Sequence, residues 1–267
     1  MRPEIIIGDG PLLLAQPHGG TWIPESILER LNDEGRMLAD TDWHISRLYA
    51  RLLPDVTSVS TAIHRYVIDA NRGPSDESLY PGQNTTGLCP TTTFDGKPIY
   101  RLGQEPSADE IRQRQRDYHQ PYHDALGEQL QRIHQKHGYA ILYDCHSIRS
   151  LVPYLFEGRL PDFNIGSNGG ASCAAALEQA VQRHCQAATG YSSVLNGRFK
   201  GGWTTRHYGQ PQQGYHAIQM ELAQCNYMLE QAPWTYDDVG ANKLRVILAG
   251  ILTELTTVLA STSDQVC

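Results

Sequence analysis

Short apolar runs alternate with longer stretches of helical periodicity along most of this chain. The runs Glu4–Ile7, Leu12–Gln16, Thr57–Val59, Tyr66–Asp69, Ala140–Cys145 and His216–Leu222 have the length and apolar density of buried strands. Between and after them, Glu25–Leu31, Asp42–Leu53, Ser107–Lys136, Cys173–Ala188 and Asp238–Ala260 repeat apolar residues at helical spacing. The longest of these opens on Ser107-Ala-Asp-Glu110, a capping-box pattern, and stops at Gly138, while Gly190 closes the next. In the last, Leu244, Ile247, Leu248, Ile251, Leu252 and Leu255 share a helical stripe. Strands alternating with helices predict an α/β fold, a single-domain αβα sandwich around a mixed, mainly parallel sheet, with residues 1–267 in one domain.

Three stretches break the periodicity. Residues 73–103 are rich in Gly, Pro, Thr and Asn, and a structureless segment of that length inside a domain is usually a functional loop or lid. Gly-rich stretches also run over 158–170 and 196–214, and the tail from about 261 to 267 reads as frayed. Neither Gly8-Asp-Gly10 nor Gly166–Gly170 continues into a phosphate-loop signature.

Composition narrows the classes. With 40% hydrophobic and 19% charged residues, the 267-residue chain is globular and long enough to bury a core without staples. Lys and Arg number 22 against 29 Asp and Glu, a net charge of −7 that argues against a nucleic-acid partner. The six cysteines, at 89, 145, 173, 185, 225 and 267, form no CxxC pair, which favours reduced thiols in the cytoplasm. No basic-then-apolar leader opens the chain, and no apolar stretch approaches the ~20 residues of a membrane span, so neither signal peptide nor membrane partner is expected. Oligomeric state is not legible. Eleven histidines direct attention to metals and proton transfer.

The chemistry collects where strands end. Leu12–Gln16 runs into Pro17-His18-Gly-Gly20, and Ala140–Cys145 into His146-Ser147. The run Tyr66–Asp69 continues as Ala70-Asn71-Arg72, and His216–Leu222 carries Glu221 near its end. In open α/β sheets ligands bind outside the carboxyl ends of strands, so His18, His146, Asn71, Arg72 and Glu221 are expected in one crevice. Two histidines with one carboxylate make a site typical of zinc with an open fourth position. The nearest acidic candidates, Asp40 and Asp42, sit at the start of a predicted helix, where an N-cap role competes. The nine remaining histidines carry a structural expectation. Cys145 and His146 are no nucleophile–base pair, since neighbours on a strand face opposite ways.

Together, His18-Gly-Gly, Ile63-His-Arg65-Tyr-Val-Ile-Asp69-Ala-Asn71-Arg72, Asp144-Cys-His146-Ser147 and Asn196-Gly-Arg-Phe-Lys-Gly-Gly202 resemble the N-formylglutamate amidohydrolases. The resemblance extends from about residue 5 to 255, with the motifs in the family's order. It implies a fold like the zinc carboxypeptidases and aspartoacylase, and metal-dependent hydrolysis of N-formyl-L-glutamate to formate and L-glutamate within histidine degradation. It implies one zinc ion, with iron, cobalt or manganese also compatible with the donors. Carboxypeptidase-like sites supply their first ligands as His-x-x-Glu, whereas His18 is followed by Gly-Gly-Thr21, so the carboxylate comes from elsewhere. Asp42 is the choice alongside His18 and His146, with Asp40 the runner-up.

On this resemblance Glu221 is the general base that later protonates the leaving nitrogen. Arg65 braces the oxyanion, and Asn71 and Arg72 bind a substrate carboxylate. Arg206, in a loop-like stretch, is the candidate for the second carboxylate. Tyr80, Tyr100, Trp203 and Tyr208 are candidate lining residues. The alternatives are a zinc-dependent hydrolase of another N-acyl amino acid or small peptide, and a non-catalytic metal- or ligand-binding protein.

Overall fold

The apolar run beginning at Ala140 becomes the central strand of a seven-stranded sheet, longer than its hydrophobic residues alone indicate. The computed structural model describes residues 2–77, 82 and 84–259. The strands are β1 (Glu4–Ile6), β2 (Leu12–Gln16), β3 (Thr57–Ser60), β4 (Ala140–Ile148), β5 (Phe163–Gly166), β6 (Ser193–Leu195) and β7 (Tyr215–Ala223), in the order β1-β3-β2-β4-β7-β5-β6. The inner four, β3-β2-β4-β7, are parallel. β1 and β5 pair antiparallel with their inner neighbours, and β6 runs parallel to β5. The sheet is therefore mixed with a parallel centre.

Helices cover both faces. On one side Leu12, Leu14, Ile141, Tyr143, Cys145, Ile218, Met220 and Leu222 pack against α3 (Ile45–Tyr49), α6 (Ala175–Ala187) and α8 (Asp238–Thr257). On the other, Leu13, Ala15, Val59, Leu142 and Ala217 meet α5 (Gln120–His137). Cys145 thus lies in the core while His146 points to the opposite face, as strand alternation requires.

Several predicted elements change length or kind. The Ser107–Lys136 helix forms, with Ser107 accepting from the Glu110 N–H and Gly138 closing it at φ 77°. A π-turn over Gln115–His119 separates α4 (Ala108–Arg114) from α5. Glu25–Leu31 shortens to α1 (Glu25–Leu28), followed by α2 (Asp33–Arg36) capped by Asn32. The helix expected from Asp42 begins only at Ile45, because His44 adopts a left-handed φ of 60°. Tyr66–Asp69 is no strand. Its apolar side chains fill a separate cluster with Ile27, Leu31, Leu88, Ile99 and Tyr100, which explains the hydrophobic run without a ladder.

Strands β5 and β6 were not anticipated. The Gly-rich 158–170 stretch contains β5, and the 196–214 stretch contains α7 (Trp203–Tyr208). The described part of 73–103 has only isolated bridges. The tail expected from about 261 lies outside the described residues.

Candidate active site

One face of the sheet switches from apolar to charged near its carboxyl edge. In the β4–β7 ladder Leu142 pairs with Ala217, then Asp144 with Gln219, then His146 with Glu221, all on the α5 side. His18 follows β2 beside them. A two-residue period on parallel strands thus places four polar side chains together above a dry layer.

Three buried donors converge there. His18 Nδ1 and His146 Nδ1 are 3.2 Å apart, Asp42 Oδ2 lies 3.2 Å from His146 Nδ1, and the third edge measures 3.8 Å. A tetrahedral cation with arms of about 2.0–2.1 Å has edges of roughly 3.3 Å between ligands, so the donor set fits a divalent metal. The far side of each ring reinforces this. His18 Nε2 sits 2.7 Å from Asp69 Oδ1, and His146 Nε2 sits 3.0 Å from Asp144 Oδ1. Carboxylates behind ligating histidines orient the rings and raise their basicity. Asp69 and Asp144 were not singled out from sequence, although Asp144, two residues before His146, had to share its face.

Asp42 is turned inward, where Oδ2 also accepts from the Ser147 N–H at 3.1 Å, so it does not cap α3. Burial pushes its carboxyl up, but the His146 hydrogen bond and the charges of His18, His146 and Arg65 outweigh it and hold it below the ordinary range. Asp69 is held lower still: burial is outweighed by His18 and Arg65. Asp40 faces elsewhere. Its Oδ2 accepts from the Tyr66 hydroxyl and the Phe94 N–H, both at 2.8 Å, and it is absent from the three-donor group.

Arg65 lies buried beside the group, donating to Asp69 Oδ2 at 2.8 Å, 3.6 Å from Asp42 Oδ1, with its guanidinium 4.6 Å from the centre of the Phe94 ring. Glu221 is 7% exposed and accepts from Gln219 Nε2 at 3.1 Å. Burial raises its carboxyl to about 8. A carboxyl poised near neutrality beside a metal-type donor group is suited to take and return one proton.

A cavity opens over these residues, lined by His18, Arg65, His146, Gln219 and Glu221 at its floor. A family model described as N-formylglutamate amidohydrolase matches residues 10–228. The chain belongs to that family. N-formylglutamate deformylase of Pseudomonas aeruginosa is 50% identical over 250 residues, covering 93% of each chain. N-formylglutamate deformylase of Pseudomonas putida is 47% identical over 247 residues, covering 92% of each. The fold matches the crystal structure of N-formylglutamate amidohydrolase from Ralstonia eutropha JMP134 with a TM-score of 0.79 at 22% identity, over 97% of this chain and 99% of that one. A gene product of Agrobacterium tumefaciens matches with a TM-score of 0.67 at 19% identity, over 98% and 96%.

In this member of the N-formylglutamate amidohydrolase family, Asn71 and Arg72 also line the cavity. Asn71 is locked in place: Oδ1 accepts from the Thr204 N–H at 2.9 Å, and Nδ2 lies 2.9 Å from His146 Nε2. Gly202 makes room, since a Cβ there would fall 2.4 Å from Asn71 Nδ2. Among the described residues Arg206 does not line the cavity. It stands on α7, and its Nε donates to Gly201 O at 3.0 Å. Arg198, from the same Gly-rich stretch, does line it, with Asn84, Thr85 and Thr86 of the long loop. Of the candidate aromatics, Tyr100 belongs to the Tyr66 cluster, Trp203 and Tyr208 pack on His123, and Tyr80 lies outside the described residues.

Proposed function

We propose that this protein is a zinc-dependent N-formylglutamate deformylase that hydrolyses N-formyl-L-glutamate to formate and L-glutamate. The observation that carries the proposal is the ladder pairing of Glu221 with His146, which joins a near-neutral carboxyl to the His18–Asp42–His146 donors on one cavity floor. The activity named for the two Pseudomonas relatives supports it. So does the carboxypeptidase-like order of a histidine, a carboxylate and a second histidine.

His18, Asp42 and His146 would hold a divalent cation, which when bound would supply Lewis acidity for the formyl oxygen and the attacking water. Glu221 takes one proton from the attacking water. As the C–N bond breaks, the same carboxyl returns that proton to the departing glutamate nitrogen; the water's second proton, left on the formic acid, then passes to the amine, so the products leave as formate and an ammonium group. Arg65, fixed by Asp69, places a permanent positive charge at the floor where the carbonyl oxygen gains negative charge. Asn71 and Arg72 hold a substrate carboxylate through the planar fork of the guanidinium. The described thiols, Cys89, Cys145, Cys173, Cys185 and Cys225, are all free, which supports a cytoplasmic setting, and histidine breakdown is the source of substrate that the family resemblance implies.

Purified protein should release formate and glutamate in equal amounts from N-formyl-L-glutamate. Thorough chelation should abolish release and added zinc restore it. Glu221→Gln should retain the metal and lose about 10²–10⁴ in kcat. Release that survives chelation would remove the metal from the reaction, and metal loss in Glu221→Gln would make Glu221 a ligand instead.

A further inference from the structure

On the deformylase reading the ligand carries two carboxylates, one bonded to the carbon next to the scissile amide and one at the end of the side chain. Three cations line the cavity among the described residues: Arg65, Arg72 and Arg198. Arg65 is engaged at the floor by Asp69 and Asp42. Arg72 neighbours Asn71, whose amide touches His146, so this pair lies within reach of the carboxylate nearest the amide. The distal carboxylate needs a different reader, away from the floor.

Arg198 has that position. Its Nε donates to Leu155 O at 3.1 Å and its Nη2 to Asn84 O at 3.2 Å, tying together two loops of the cavity wall. These carbonyls orient the guanidinium within the cavity wall. A second observation points the same way. Thr86, two residues from the carbonyl that Arg198 grips, lines the same cavity and has a buried hydroxyl without a hydrogen-bond partner among the described residues. A buried donor of that kind is costly unless a ligand completes it. A carboxylate offers two oxygens and about four acceptor sites, enough for a guanidinium edge and a hydroxyl at once.

We propose that Arg198, with the Thr86 hydroxyl, reads the side-chain carboxylate of the substrate and sets the preference for an acidic N-formyl amino acid, while Asn71 and Arg72 take the α-carboxylate. This rests on the deformylase reading and goes beyond it.

The test compares kcat/KM for N-formyl-L-glutamate and N-formyl-L-glutamine, which differ only in the charge of the distal group. The native enzyme should favour the glutamate derivative strongly. Arg198→Met should lower kcat/KM for N-formyl-L-glutamate roughly 10²–10³-fold and that for the glutamine derivative far less, so the preference collapses. Arg198→Lys should recover part of it, keeping charge but not the fork. Thr86→Val should narrow the preference several-fold and decides the matter should Arg198→Met fail to fold. Arg72→Met should lower both substrates alike, because both retain the α-carboxylate. A preference that survives in Arg198→Met or, if that variant does not fold, in Thr86→Val, or that collapses in Arg206→Met, would overturn the assignment. A native enzyme that releases no formate from N-formyl-L-glutamate would instead overturn the deformylase reading itself.

Discussion

Two pairs of buried histidines stand near each other in this protein and are partnered in opposite ways. His18 and His146 each turn one ring nitrogen toward a carboxylate, Asp69 and Asp144, and the other toward the shared donor group with Asp42. His119 and His123, tilted rings 4.3 Å apart across the π-turn junction of α4 and α5, face backbone carbonyls instead: Nε2 of His119 meets Arg72 O and Nε2 of His123 meets Ala70 O, both at 2.8 Å. Burial lowers both of these rings, so they stay neutral and donate. The first pair gathers donors and carboxylates around the proposed metal site. The second pins the loop that carries Asn71 and Arg72 without adding charge beside the carboxylate subsite proposed for them. Partner chemistry, more than residue type, separates a ligand from a brace.

The largest expected effect tests the charged region. Asp42→Ala should lose the metal, by elemental analysis, and with it nearly all activity. Asp40→Ala should keep the metal and instead cost about 1–3 kcal/mol of stability, because Tyr66 Oη and the Phe94 N–H would be left unpaired. An exchange of these phenotypes would move the carboxylate ligand to Asp40.

A smaller effect sharpens the contrast between carboxylate and carbonyl partners. Asp69→Asn and Asp144→Asn preserve shape and an acceptor oxygen but remove charge behind the rings. Each should weaken metal affinity about 10–100-fold, read by competition with a chromogenic chelator. Unchanged affinity in both would mean that the carboxylates orient nothing the metal needs.

Much of the charged region was legible because strands announce their ends. His18 and His146 follow apolar runs, and parallel strands bring such ends together. Asp42 and Asp40 could not be separated, since two acidic residues flanking Thr41 before a helix look alike until the left-handed turn at His44 decides which one faces inward. Asp69 was hidden by the expectation of a strand through Tyr66–Asp69, whose apolar side chains serve a satellite cluster instead. β4 runs past its predicted end because His146 and Ser147 are polar residues that the ladder nevertheless buries. The strands β5 and β6 escaped because short elements among glycines have too few side chains to make a period.

The neutral region yields the smallest expected effect, and it appears only with pH. His123 is buried between His119, His207, Trp203 and Tyr208, its Nδ1 3.1 Å from Tyr208 Oη, and burial lowers it to about 3. The unfolded chain binds a proton there below about 6.5 while the folded protein does not, so stability should fall as pH drops from 6.5 toward 3 and be fully present above that window. The slope from this one ring is at most about 1.4 kcal/mol per pH unit. His123→Gln keeps an N–H for Ala70 O but cannot titrate. It should be less stable than the native chain at pH 8, through lost ring packing, and the deficit should shrink steadily as pH is lowered. Urea midpoints between pH 4 and 8, with chelator present throughout so that metal loss does not contribute, measure that convergence. Parallel curves for the two proteins would show that His123 titrates alike in the folded and the unfolded chain, and the neutral brace behind Arg72 would have to be sought in His119 alone.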